Sequence, residues 1–125
     1  LYAGTGSDKQ KNYTIKHCER ILNSCVYGMP SVDPKHKKFE SERYWRGPVW
    51  SIMNYMISHG LEHEGEYSLA KRIKDDTIKL IEVGGMYEYF NPHTGKGLGG
   101  RDFSWTAAIL LALGRDSSNL KFTNI

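Results

Sequence analysis

Cysteine is scarce, with only Cys18 and Cys25 among 125 residues. The two stand seven apart in a stretch of helical pattern, where two turns separate them by about 10 Å. A disulfide needs Cα atoms within about 7 Å, so the chain is not a disulfide scaffold. No metal-type cysteine spacing is present either. The reading is two small buried residues, which points weakly to the cytoplasm. Charge of one sign is also lacking: 17 Lys plus Arg against 14 Asp plus Glu leaves +3. With no basic cluster, this argues against a nucleic-acid partner. No apolar run approaches the roughly 18 residues of a membrane span; the longest covers 106–113, so no membrane partner is expected. The first residues, Leu-Tyr-Ala-Gly, carry neither a start Met nor a basic-then-apolar leader, and the chain reads as cut from inside a longer protein. No internal repeat or low-complexity linker divides it, and 25% charged with 39% apolar residues is globular composition.

Aromatic residues are abundant, at 12%. They gather at 44–55, 87–90 and 103–105 beside Gly and Pro, which suggests the walls of a pocket rather than scattered core packing. Four helices are expected. The first, at about 11–27, places Ile15, Cys18, Leu22 and Cys25 on one face. The second runs from Pro48 to Gly60 and is apolar nearly all round. The third, at about 66–83, buries Ala70, Ile73 and Ile81 and ends at Gly84-Gly85. The fourth follows Asp102 as N-cap, runs through Leu113, and is again apolar all round. A helix apolar on every side must be covered on every side. Half-wet and fully covered helices in alternation are what two concentric helical layers require. The expected fold is therefore all-α, a partial (α/α) barrel whose inner and outer helices alternate. Four helices cannot close two rings, so the chain either belongs to a larger barrel or assembles with another copy. Two long loops, 27–47 and 85–101, each precede an inner helix and should lie at one end of the barrel. Loops of that length in a compact domain are often functional.

The loops hold the chemistry. Residues 95–100 formally spell GxGxxG, but no strand–helix unit surrounds them and Leu120 and Lys121 stand where an acid would be needed. No nucleotide or other cofactor is expected; the glycines read as a tight backbone path. His59 and His63 have i,i+4 spacing, but Gly60 and the end of the helical pattern spoil it, so no metal site is expected. YWRGPVW at 44–50 is far denser. Tyr44, Trp45 and Trp50 offer flat faces for the C–H faces of sugar rings, and Arg46 offers directional donors to hydroxyls or a carboxylate. The same block also reads as an aromatic core corner with Arg46 in a salt bridge. In GMYEYFNP at 85–92, Glu88 is a single carboxylate among Tyr87, Tyr89 and Phe90. It suits a general base that activates water, or a structural acid bonded to an Arg or a backbone amide. Glycoside hydrolysis needs a second carboxyl. Asp102 is the one other loop acid in similar company, and helix capping accounts for it better.

YWRGPVW, GMYEYFNPHTGKGLGGRDFSW at 85–105 and Met-Pro-Ser-Val at 29–32 resemble the C-terminal part of glycoside hydrolase family 63. The closest likeness is to its mannosylglycerate/glucosylglycerate hydrolase and α-glucosidase branch. The likeness covers about 26–113. It implies that residues 1–125 are a C-terminal fragment of an (α/α)6 six-hairpin catalytic domain. It further implies inverting hydrolysis of α-glucosyl or α-mannosyl compounds, a carbohydrate substrate and no metal in the chemistry. On this resemblance Glu88 is the general base. Tyr44, Trp45, Arg46, Trp50, Tyr87, Tyr89 and Trp105 are then substrate-binding. The family's general acid, an Asp from the earlier half of the barrel, has no counterpart here. A missing N-terminal part or a homo-oligomer must supply it. The alternative is a helical sugar-binding or assembly module, inactive alone.

Overall fold

A computed structural model describes residues 1–116; the last nine residues of the expected domain, 117–125, lie outside the described residues. Four helices and one hairpin make up this part. They are α1 (Asp8–Leu22), α2 (Ser51–His63), α3 (Tyr67–Gly84), β1 (Tyr87–Phe90), β2 (Gly97–Arg101) and α4 (Ser104–Asp116).

Helix α1 starts three residues earlier than periodicity suggests, because Ser7 and Gln10 form a reciprocal capping box that satisfies two orphan amides. It stops at Leu22, short of Cys25. Arg72 of α3 donates to the Leu22 carbonyl and to Asn23 Oδ1, both at 2.7 Å, which closes the helix end from outside. Cys18 and Cys25 are therefore not on one helix. Both are half-buried, and burial pushes both thiols up.

Helix α2 begins at Ser51 rather than Pro48. Val49 is taken by two extended neighbours: it bridges Pro30 and Phe90, exchanging bonds of 2.8 and 2.9 Å with Phe90. Nor does Gly60 end α2; the N-terminal residues Leu1 and Tyr2 pack where its side chain would be, and the helix runs on to His63. Helix α3 buries Ala70, Ile73 and Ile81 as expected, with Thr77 and Leu80 beside them. It ends in Gly85 at φ 85 and ψ −170, an extended positive-φ conformation that is open to glycine. Asp102 does not cap α4. It sits at φ 53 two residues ahead of Ser104, and the Phe103 carbonyl accepts from Ala107 instead.

Two apolar clusters hold these pieces. One joins Ile21, Leu22, Met29, Leu61, Ala70 and Ile73 from α1, the first loop, α2 and α3. The other joins Val49, Leu80, Ile81 and Phe90, with Tyr27, Met86, Tyr87 and Leu110 against it. Amphipathic and apolar helices alternate in the expected order, but the apolar ones are covered on one side only. The buried side of α2 is small and polar, with Ser51, Asn54 and Ser58, while Met53 is 40% exposed. On α4, Trp105 and Leu111 are 54% and 59% exposed. The chain is mostly helical, but it is not all-α in its second loop. There Tyr87–Phe90 pairs antiparallel with Gly97–Arg101, a strand whose three glycines carry no β-propensity.

Candidate active site

The two long loops meet at one end of the helices. Asn54, fully buried in α2, fixes the start of the first loop. Its Oδ1 accepts from Met29 N–H at 2.7 Å, and its Nδ2 donates to Met29 O at 2.9 Å and to Trp50 O at 3.2 Å. Asp76 of α3 accepts from Gly28 N–H at 2.9 Å; burial pushes its carboxyl up. Arg20 of α1 pairs with Asp33 and holds that carboxyl below its ordinary value. Further along, Gly47 passes against the Glu40 carbonyl where a side chain would collide. The Gly47 amide donates to Ser31 Oγ at 3.0 Å.

This closed loop presents the rings. Trp45 stacks on Trp50 with centroids 3.9 Å apart and planes 2° from parallel. Tyr44 stands edge-on to Trp50 at 5.1 Å and to Tyr89 at 5.5 Å. Tyr89 lies over Trp50 at 5.0 Å. Trp50 is buried and donates Nε1–H to the Tyr44 carbonyl at 3.3 Å, whereas Trp45 keeps an outer face in solvent. A pocket of about 290 Å³ opens against the stack, lined by Met29, Pro30, Ser31, Trp45, Trp50, Met53 and Ile57.

The hairpin brings Glu88 beside Tyr89. The half-buried Glu88 carboxylate accepts from Gly100 N–H at 3.1 Å through Oε2. Among the described residues it forms no ion pair. Burial, and then the Glu88 charge, push the Tyr89 hydroxyl up. Asn91 ties the hairpin to the first loop. Its Oδ1 accepts from His93 and Thr94 amides at 2.9 and 3.2 Å, and its Nδ2 donates to Glu42 at 3.1 Å. Asn91 and Lys96 together hold the Glu42 carboxyl below its ordinary value.

Of the eight residues singled out in the sequence, Tyr44, Trp45, Trp50 and Tyr89 form one ring cluster with Glu88 at its edge. The other three lie elsewhere. Arg46 pairs with Glu40 within its own loop. Tyr87 packs on the second apolar cluster, with Arg101 over its ring at 5.9 Å. Trp105 stands at the head of α4 against Phe103. Of the eight, only Trp45 and Trp50 line the 290 Å³ pocket; Tyr44, Arg46, Tyr87, Glu88, Tyr89 and Trp105 do not. Sequence reading missed Asn54, Asp76 and Asn91. A polar residue inside an apolar helix, and an Asn-Pro turn with Thr-Gly behind it, were the available signals. No group of three His, Cys, Asp or Glu side chains among the described residues can hold a metal, and no helix there is long and apolar enough to cross a membrane.

Comparison with known proteins finds mannosylglycerate and glucosylglycerate hydrolases and, at lower identity, glucosidases. The model of the mannosylglycerate hydrolase MGH1-like glycoside hydrolase domain matches residues 1–106. Mannosylglycerate hydrolase MGH1 of Selaginella moellendorffii is 46% identical over 112 residues, 90% of this chain and 23% of its own length. The mannosylglycerate hydrolase of Thermus thermophilus is 43% identical over 111 residues, 89% of this chain and 27% of its own. A crystal structure of a family 63 mannosylglycerate hydrolase from Thermus thermophilus, in complex with Tris and D-glycerate, superposes with a TM-score of 0.85 at 43% identity. That match covers 88% of this chain and 27% of the crystallised one. The chain spans about a quarter of the length of the curated relatives it matches. By its residues and by its fold, the chain belongs to the MGH1-like branch of glycoside hydrolase family 63.

Proposed function

We propose that this chain is the C-terminal part of an inverting glycoside hydrolase acting on an α-mannosyl or α-glucosyl compound such as mannosylglycerate or glucosylglycerate. In this reading it supplies the general base, Glu88. The observation that carries the proposal is a carboxylate set at the edge of a four-ring aromatic cluster, with no cation against it among the described residues. A paired carboxylate would be a poor proton acceptor. Here Oε2 is held by one backbone amide, while Oε1 has no protein donor among the described residues and is open to a water molecule.

The sugar ring packs against the cluster of Tyr44, Trp45, Trp50 and Tyr89 on the side where Glu88 stands beside Tyr89. Glu88 takes a proton from water as that water attacks the anomeric carbon on the face away from the leaving group. An acid outside this chain protonates the departing oxygen. The partial (α/α)6 barrel belongs to the same proposal. It is supported by the exposed apolar faces at Met53, Trp105 and Leu111 and by the quarter-length match to the relatives. The rest of the barrel covers those faces and brings Trp105 to a pocket wall.

In the complete gene product, Glu88→Gln should lower kcat for mannosylglycerate by about 10³-fold or more, since a positioned base contributes roughly 10²–10⁴. The thermal midpoint should stay within about 2 °C. Turnover at the parent rate removes Glu88 from the role.

A further inference from the structure

The one irregularity of the hairpin lies opposite the proposed base. Tyr87 pairs with Arg101 and Tyr89 with Leu98, so Glu88 faces two residues, Gly99 and Gly100. Gly99 sits at φ 75, the left-handed conformation that opens a glycine-led bulge. The bulge turns the Gly100 amide toward the carboxylate, 3.1 Å from Oε2. It also brings position 99 so close that a Cβ there would stand 2.7 Å from Glu88 Oε2 and 2.6 Å from Tyr89 Cε1. Conformation and space both demand glycine at 99. The last two glycines of the 95–100 string thus serve a carboxylate of their own chain, while Gly95 and Gly97 make room for Tyr27 and Tyr87.

We infer that the Gly99–Gly100 bulge is the positioning element for the base. It orients the Glu88 carboxylate by one amide bond, and the side chain absent at 99 leaves the volume that the carboxylate and the Tyr89 ring occupy. The inference rests on Glu88 being the base. Its chemistry is alignment: a base displaced by about 1 Å from the line of attack costs on the order of 10² in rate. Gly99 and Gly100 act through Glu88 and touch no substrate.

The test uses the complete gene product. Gly99→Asn keeps a residue that tolerates positive φ, yet its Cβ must push the carboxylate aside. Expected is a loss of kcat of about 30- to 100-fold, while a rise in KM reports the Tyr89 ring, which the same Cβ meets at 2.6 Å. Gly65→Asn is the control: Gly65 has φ 83 and nothing within 4 Å of its virtual Cβ, and kcat should not change. The decisive step repeats Gly99→Asn in a Glu88→Gln background, on α-mannosyl fluoride with azide, an anionic nucleophile that attacks the anomeric carbon with no proton to lose while fluoride departs with the bonding pair. If the bulge works through the carboxylate, the second substitution costs nothing further there. Glu88→Asp leaves the glycines untouched and withdraws the carboxylate from Gly100 by one methylene; it should lose at least as much kcat as Gly99→Asn. The inference is overturned by Gly99→Asn or Glu88→Asp at the parent kcat, or by a Gly99→Asn loss equally large in both backgrounds. Glu88→Gln at the parent rate instead removes the base itself, and the inference with it.

Discussion

The first loop runs on into Val49, which pairs with Phe90 of the hairpin, and together loop and hairpin build one candidate site, yet they are held by different forces. The first loop has no ladder of its own. Side chains reach it from three helices: Arg20 from α1, Asn54 from α2 and Asp76 from α3. The hairpin is held by its own backbone pairing and by glycines that let the strands close. The rings that would bind sugar thus depend on distant polar anchors, while the carboxylate depends on local geometry. Damage to the anchors should appear as lost stability. Damage to the hairpin should appear as lost turnover, as the Glu88 and Gly99 substitutions test.

The largest stability effect should come from Asn54→Leu. Leucine is close in volume but strips three hydrogen bonds and leaves the Met29 N–H and C=O without partners. Each buried group left unpaired costs about 1–3 kcal/mol, so a loss of about 3 kcal/mol is expected in denaturant unfolding. Below about 1 kcal/mol, α2 would not be the anchor of this loop and the contrast with the hairpin would fail.

A smaller effect is expected at Asp76, and its size depends on pH. Burial raises its carboxyl above the ordinary 3.8, against the opposing pull of the Gly28 amide and Arg72. A folded-state value above the unfolded one means that the native state binds the proton more tightly. Its stabilising contribution is complete below 3.8 and is lost as pH rises through the raised folded value. Asp76→Asn keeps an oxygen for the Gly28 amide and removes the charge. The variant should lose that part of the pH dependence and be no less stable than the parent at pH 7, as read from thermal midpoints between pH 3 and 7.

The same contrast explains what could be read from residues alone. Ala70, Ile73 and Ile81 declare the buried stripe of α3 through their spacing, and Gly84-Gly85 declares its end. The ring cluster was legible because Tyr44, Trp45 and Trp50 are adjacent in sequence. The start of α2 was not, because Pro48 is a good first-turn residue and only a partner forty residues on, Phe90, draws Val49 into extended pairing. The hairpin was hidden for a similar reason: Gly97, Gly99 and Gly100 carry no side-chain signal, and their strand exists by backbone pairing with Tyr87–Phe90. Asp102 at φ 53 looks like a cap in sequence and is a bend in space. Local patterns wrote the helices; contacts between distant loops wrote the site.

Arg46 marks the boundary between the two kinds of control and should show the smallest effect. In the sequence it reads equally as a ligand for an acidic aglycone and as a brace. In the structure it pairs with Glu40, both side chains nearly half exposed, while its own backbone carbonyl accepts from the Glu40 amide at 2.7 Å. An exposed ion pair of this kind contributes at most about 1 kcal/mol. The backbone bond survives truncation, so Arg46→Ala should lower stability by no more than that. In the complete gene product, and on the proposed function, a brace should also affect all substrates alike, with KM for mannosylglycerate and for a neutral α-mannoside rising by the same small factor. A guanidinium that left Glu40 to grip a substrate carboxylate would instead raise KM for mannosylglycerate alone, by about tenfold or more for a lost charge-assisted bond. That outcome would move Arg46 from the scaffold of the first loop to its binding face.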